Sequence, residues 1–229
     1  MPKAKICRKF TLWLNQTVMK PKTPLYLATF LAFFFLAVSC QNDQDEHLEH
    51  EHLQDYSKSM LYSTNIIKLT LSTYLFEHPE LADVIDRVKY AVQLYKVSYK
   101  TTCYDSSVIA SGIFCLPVKE GKFPVISFQN GTNTSHDKAP SVDVLNENYA
   151  MIEIMASLGY VVLITDYIGF GNTSDMVHPY YHRQPTDQAV IDLIRAFNEL
   201  KSVNNSLASG NDTLYMMGYS QGGWATLSS

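Results

Sequence analysis

The spacing of hydrophobic residues changes along this chain, and each change predicts a different kind of element. From Tyr56 to about Leu94 they recur at helical intervals: Leu61, Ile66, Ile67 and Leu71, then Leu81, Val84, Ile85 and Val88 after Pro79. This predicts two helices forming an N-terminal cap. The period then drops to two. "YKVSYKTT" (95–102) alternates apolar with polar residues, "YDSS" (104–107) has turn chemistry, and "VIASGIFCLP" (108–117) follows, which predicts a β-hairpin.

Beyond the hairpin, short apolar runs alternate with helical patterns. "PVISFQN" (124–130) reads as a buried strand. Val144 to Leu158 reads as a helix with Tyr149, Ile152, Met155 and Ala156 on one face and Gly159 at its exit. "YVVLITDY" (160–167) is a second strand, leading into a glycine-punctuated loop. A further helix is expected to begin at Thr186 or Asp187, with Val190, Leu193, Ile194, Phe197 and Leu200 as its apolar face. The polar "NNSLASGND" (204–212) reads as a loop, and "TLYMMG" (213–218) as a third strand. Strands alternating with helices predict an α/β fold whose parallel sheet is covered on both faces.

The first forty residues read as a targeting segment. Lys3, Lys5, Arg8, Lys9, Lys20 and Lys22 make a basic start, and "LYLATFLAFFFLAV" (25–38) follows. That run is short for a spanning helix, which needs about 20 residues, and suits a signal peptide. It ends at "LAVSC", whose Cys40 junction resembles a bacterial lipobox, with Ala37 where Leu is usual. The following "QNDQDE" (41–46) is similar to the acidic stretch of surface-exposed Bacteroidetes lipoproteins. These resemblances imply lipidation at Cys40 and a bacterial lipoprotein anchored in the outer membrane at the cell surface; the alternative is an ordinary cleaved signal or an uncleaved anchor. The expected organisation is a signal peptide at 1–40, an acidic tether at 41–55 and a domain at 56–229. Within the tether "EHLEHEH" (46–52) has spacing that can hold a metal, but its composition favours a solvated spacer, and no metal site is expected.

The chain has 46% hydrophobic and 17% charged residues, enough for one core. A net charge of -4 provides no basic track, which sets nucleic-acid binding aside. Cys103 and Cys115 are the cysteines of the domain. With the hairpin turned at 104–107, Cys103 is expected near Ala110 rather than Cys115, so both read as packing residues.

The chemistry concentrates at "GYSQG" (218–222), which satisfies G-x-S-x-G. The pattern alone is weak; a buried strand before it and a helix after it give it meaning, and "TLYMMG" and "QGGWATLSS" supply them. A sharp strand-to-helix turn would raise Oγ of Ser220 to the edge of the sheet, with Gly218 and Gly222 allowing the backbones to pass. The amide of Gln221, opening the helix, would face a developing oxyanion. In "QNGTNTS" (129–135) the Thr132 amide is the candidate second donor, against the plain alternative of an Asn-Gly turn.

These residues, with "YKVSYKTT", "GIFCLP", "NGT", "YVVLITDYIGFGNT", "HPYYH" and "GYSQGG" in order over about 95–229, resemble an α/β-hydrolase. The chain is most similar to the secretory lipase branch and related esterases or peptidases of Bacteroidetes lipoproteins. Many relatives have His-Gly where this chain has Gln129, Asn130 and Gly131. The resemblance implies that Asp166, Gly169 and Gly171 shape a turn, and that His178, Tyr180, Tyr181 and His182 line a substrate mouth. It implies a serine hydrolase that forms an acyl-enzyme on a small-molecule ester or lipid, needing no cofactor. The alternatives are a peptidase of the same fold or a non-catalytic surface-binding lipoprotein.

In such enzymes the triad runs serine, acid, histidine along the chain. After Ser220 this sequence has neither an acid nor a histidine. His136, His178 and His182 are poor substitutes without an orienting acid. The expectation is therefore a partial α/β-hydrolase fold: a mostly parallel sheet with an N-terminal hairpin and helical cap, without the later strands. The Ser220 strand becomes an exposed edge, and the fragment is expected to be inactive.

Overall fold

The computed structural model describes residues 50–229. The expected signal peptide, Cys40 and most of the acidic tether lie outside the described residues. Six strands form one sheet: β1 (Leu53–Tyr62), β2 (Val92–Cys103), β3 (Ser106–Pro117), β4 (Gly121–Gln129), β5 (Val161–Thr165) and β6 (Ala208–Gly218). Five helices accompany them: α1 (Thr64–Thr73), α2 (Leu81–Asp86), α3 (Glu147–Glu153), α4 (Arg183–Val203) and α5 (Gln221–Ser228). The strand order is β1-β2-β3-β5-β4-β6. The first four are joined by antiparallel pairings, and β5, β4 and β6 run parallel.

The unbroken apolar run of β5 follows from its central place, since all five of its residues are buried. Val161 and Leu163 enter the core beneath α4, while Val162 and Ile164 enter the opposite core. β3 divides likewise, with Phe114 and Leu116 on the α4 side and Ile113 and Cys115 on the other. The period of two is thus present, but both phases are apolar because helices cover both faces. On one face α4 buries Val190, Leu193, Ala196, Phe197 and Leu200, and Phe197 meets Phe114 edge-on with ring centroids 5.4 Å apart. On the other face, Ile67 and Leu71 of α1 and Tyr149 and Ile152 of α3 close the core.

Several expectations need correction. The segment from Tyr56 begins not as a helix but as β1, which opens at Leu53, inside the stretch assigned to the tether. α1 starts only after Ser63, whose hydroxyl caps Ile66 N–H at 3.3 Å. Ile67 and Leu71 do form the helix's buried face, but Leu61 belongs to the strand and Ile66 is exposed. The hairpin turns on Tyr104 and Asp105 alone, so Cys103 pairs with Ser106, while Ala110 lies opposite Tyr99. Both domain cysteines are free and buried. The long helix starts at Arg183, earlier than Thr186, because Pro185 falls in its first turn, where no intrahelical N–H is needed. β6 begins at Ala208, within the stretch read as a loop.

At its start β1 is tied to α4 by one side chain. The carboxylate of Glu199 accepts from the backbone N–H of Leu53 at 2.7 Å and of His52 at 3.1 Å.

Candidate active site

Between β6 and α5 the chain reverses through Tyr219 and Ser220. Ser220 takes φ 55° and ψ -118°, a conformation that costs an L-residue about 1–3 kcal/mol. Packing on both sides holds it there. A Cβ on Gly218 would stand 2.1 Å from the carbonyl oxygen of Gly222, and one on Gly222 would stand 1.8 Å from that of Gln129. Only glycine admits both approaches. Tyr219 N–H reaches Gln129 O at 3.3 Å, which joins the turn to the end of β4.

Gln129, which sequence reasoning did not assign a role, locks this junction. It is fully buried. With its amide oriented to satisfy every neighbour, the NH2 donates to Met217 O and Thr226 Oγ1, each at 2.8 Å, and the oxygen accepts from Ser127 Oγ at 2.8 Å. One side chain thus links β4, β6 and α5. Nothing in the local sequence signals this, because its partners on β6 and α5 lie far along the chain.

Ser220 is exposed at the start of α5, and its side chain caps no helix amide. Gln221 is the first residue of α5, so its N–H has no intrahelical acceptor. It also shares in the positive end of the helix. The loop after β4 runs alongside, and a Cβ on Gly131 would lie 3.4 Å from Tyr219 O. Thr132 is exposed, its hydroxyl 3.1 Å from that of Tyr180. Asn130 is buried, and its carbonyl accepts from Tyr167 Oη at 3.0 Å.

The "HPYYH" loop comes to the same place. Its aromatic rings run from His178 to Tyr180 (5.8 Å between centroids), to Tyr181 (4.6 Å) and to Trp224 of α5 (5.0 Å). Tyr180 and Tyr181 are each about half exposed, so this run forms a wall open to solvent. His182 stands apart from it, with its ring on Tyr104 at 5.6 Å. His178 is turned inward. Its Nδ1 lies 2.7 Å from Ile168 O and its Nε2 lies 3.0 Å from Nε2 of Gln221. Burial lowers the pKa of His178 below its ordinary value. His136 packs on Phe170 at 5.4 Å. Each histidine of the domain's later half therefore has a contact other than Ser220 Oγ.

Asp166 is not a free acid beside the serine either. Its carboxylate is buried and accepts from Ser111 Oγ at 2.6 Å, from Ser141 N–H at 3.0 Å, and from Ser141 Oγ. Burial raises its pKa, with these donors opposing the shift. The group fastens the β5 exit to β3 and to the segment after β4. Gly169 and Gly171, with φ 94° and 54°, turn the chain beyond it. Among the described residues, no group of three or more His, Cys, Asp or Glu is placed to hold a metal ion.

Residues 137–229, including the elbow at Gly218–Gly222 and the aromatic loop, match the secretory lipase family. A putative hydrolase from Legionella pneumophila subsp. pneumophila str. Philadelphia 1 is 30% identical, with a TM-score of 0.66, over 78% of this chain and 46% of that one. The chain is similar to lipases and esterases of the α/β-hydrolase type. The α/β-hydrolase fold is also shared by the rice cell wall degrading esterase LipA from Xanthomonas oryzae. That structure aligns at TM-score 0.63 and 24% identity over 78% of this chain and 44% of LipA. The chain thus spans a little under half the length of these α/β-hydrolases. A comparison with curated protein sequences gives no match.

Proposed function

We propose that this α/β-hydrolase is a serine hydrolase of carboxylic esters, with Ser220 as its nucleophile. The observation that carries the reading is the strained, exposed Ser220 between β6 and α5, with the unbonded amide of Gln221 next to it. In this mechanism Oγ attacks the ester carbonyl as a base takes its proton. The carbonyl oxygen becomes an oxyanion facing the Gln221 N–H, with Thr132 N–H as the second donor. Collapse of the tetrahedral species expels the alcohol, which receives the proton, and leaves an acyl group on Oγ; water then releases the acid.

A serine hydroxyl is a poor nucleophile until a base removes its proton. Among the described residues His178 is engaged with Gln221, and Asp166 with Ser111 and Ser141. The proposal therefore assigns the base and its orienting acid to the portion of the relatives' length that these residues do not span. The 229 residues alone are expected to turn over substrate slowly or not at all, with about 10³- to 10⁴-fold or more of the acceleration missing. Tyr180, Tyr181 and Trp224 offer an apolar, aromatic flank for an acyl chain or leaving group. Lipidation at Cys40, and with it residence on the bacterial outer membrane facing the exterior, is part of the same proposal.

Fluorophosphonate labelling tests the nucleophile. In a protein that continues this chain to the relatives' length, intact mass should rise by one adduct, mapped to Ser220 and lost in Ser220→Ala. Labelling at another residue refutes the assignment. Ester and aminoacyl-amide substrates on that protein separate an esterase from a peptidase, and no labelling at all would favour a non-catalytic binder. Palmitate incorporation that disappears in Cys40→Ala tests the anchor.

A further inference from the structure

We propose that His178 is a positioning residue that clamps Gln221, accepting a hydrogen bond from its side chain and so fixing the amide at the head of α5. This rests on the reading of Ser220 as nucleophile and of the Gln221 N–H as an oxyanion donor.

The tautomer follows from the partners. Ile168 O can only accept, so Nδ1 at 2.7 Å carries the proton. In a neutral ring Nε2 is then an acceptor, and the Gln221 NH2 at 3.0 Å is the donor it meets. The ring cannot swing away easily. Tyr167 stacks on it at 5.9 Å with 21° between planes, Phe170 meets it at 5.0 Å, and Tyr180 lies at 5.8 Å. Behind it, a Cβ on Gly169 would come within 2.6 Å of the His178 Cα, so glycine is needed for the backbones to lie this close. The β5 exit, the aromatic loop and α5 therefore converge on one imidazole.

The groups facing the ring are Tyr167 from the β5 exit, Phe170, Ile168 and Tyr180 from the loop, and Gln221 from α5. Burial pushes the Tyr167 phenol well above its ordinary value, so it stays neutral. The lowered pKa of His178 favours the same neutral ring. Gln221 is fully buried, and its Oε1 has no partner among the described residues. That unmatched oxygen is what a protonated ring would take. On acidification Nε2 becomes a donor, and rotation of the Gln221 amide would present Oε1 to it. The clamp thus has two arrangements, and the amide's orientation reports the charge of the ring.

Nuclear magnetic resonance on the 229-residue chain, with 15N in histidine and glutamine, tests this. At neutral pH, His178 should be protonated on Nδ1 and bare on Nε2. Acidification should move the His178 ring and both the side-chain and backbone amides of Gln221 with one midpoint. Gln221→Glu places a carboxylate against the ring and should raise that midpoint by about 1 pH unit or more. His178→Phe should abolish the transition at the Gln221 backbone amide. If that variant fails to fold, the wild-type titration and Gln221→Glu decide. A ring protonated on Nε2 at neutral pH, Gln221 amides indifferent to the His178 midpoint, or an unmoved midpoint in Gln221→Glu overturns the clamp. Ser220→Ala should leave the midpoint unchanged, so loss of the nucleophile assignment and loss of the clamp are separate results. In a protein that hydrolyses esters, His178→Phe should lower kcat roughly 10- to 100-fold with little change in KM; loss through KM alone would also count against it.

Discussion

β5 and β6 flank the same strand, β4, yet they live in different surroundings. β5 is buried along its whole length, each face under a helix. β6 pairs only with β4 among the described residues, and Leu214, Tyr215 and Met217 are each 43–49% exposed. The central strand lies in the core, and the outer one leads into the turn that holds the proposed nucleophile. The contrast teaches that the elbow is not held by its own strand. It is held from beneath, by Gln129 at the end of β4 and by Ala139, Tyr167, Phe170 and Val190, which pack with Ala225 of α5.

The largest effect is expected at the centre of the sheet. Leu193→Ala, removing a fully buried side chain beneath β3, should cost about 2–5 kcal/mol in a denaturant titration. Gly222→Ala attacks the elbow from below. Its Cβ has no room beside Gln129 O, and a loss of about 1–3 kcal/mol is expected, with α5 displaced and the Gln221 and Gly223 amide resonances shifted.

A pH effect comes from Glu153, at 1% exposure in the α1 and α3 core, with Oε1 unpartnered among the described residues. Burial raises its pKa from 4.5 to about 8. The folded form keeps a proton that the unfolded chain has lost, so this group's contribution is fully present below about pH 4.5 and declines as pH rises toward about 8. The slope is at most about 1.4 kcal/mol per pH unit. Glu153→Gln should flatten that decline in a series of denaturation curves; an unaltered slope would show that the carboxyl is charged in the fold. The smallest effect is expected on β6, where Leu214→Ser should change stability by no more than about 0.5 kcal/mol. A larger loss would mean that the outer strand bears load after all.

The same contrast explains what the sequence made legible. Elements buried on both faces were read well, since the apolar runs of β4 and β5 leave little choice of assignment. The elbow was read because strand, serine and helix are contiguous. β1 was missed: its register slips between Leu53 and Asp55 and again between Lys58 and Leu61, and those slips erase the alternation that marks a strand. The start of β6 was missed because Gly210, Asn211 and Asp212 have turn chemistry, yet Ala208 to Gly210 pair with Gly121 to Phe123. The substrate-mouth reading grouped His178 and His182 with the two tyrosines. The first is drawn inward to Gln221, the second outward to Tyr104. No local pattern separates them, because the partners lie 43 residues away in one case and across the hairpin tip in the other.

The Glu199 carboxylate that receives the amides of His52 and Leu53 has a mechanical consequence. Tension applied from the N-terminal side would load these two bonds together with the one that Lys100 N–H donates to His52 O, and would pass from there both into α4 and into β2. Glu199→Gln would weaken that fastening and shift more of the load onto the β1–β2 ladder.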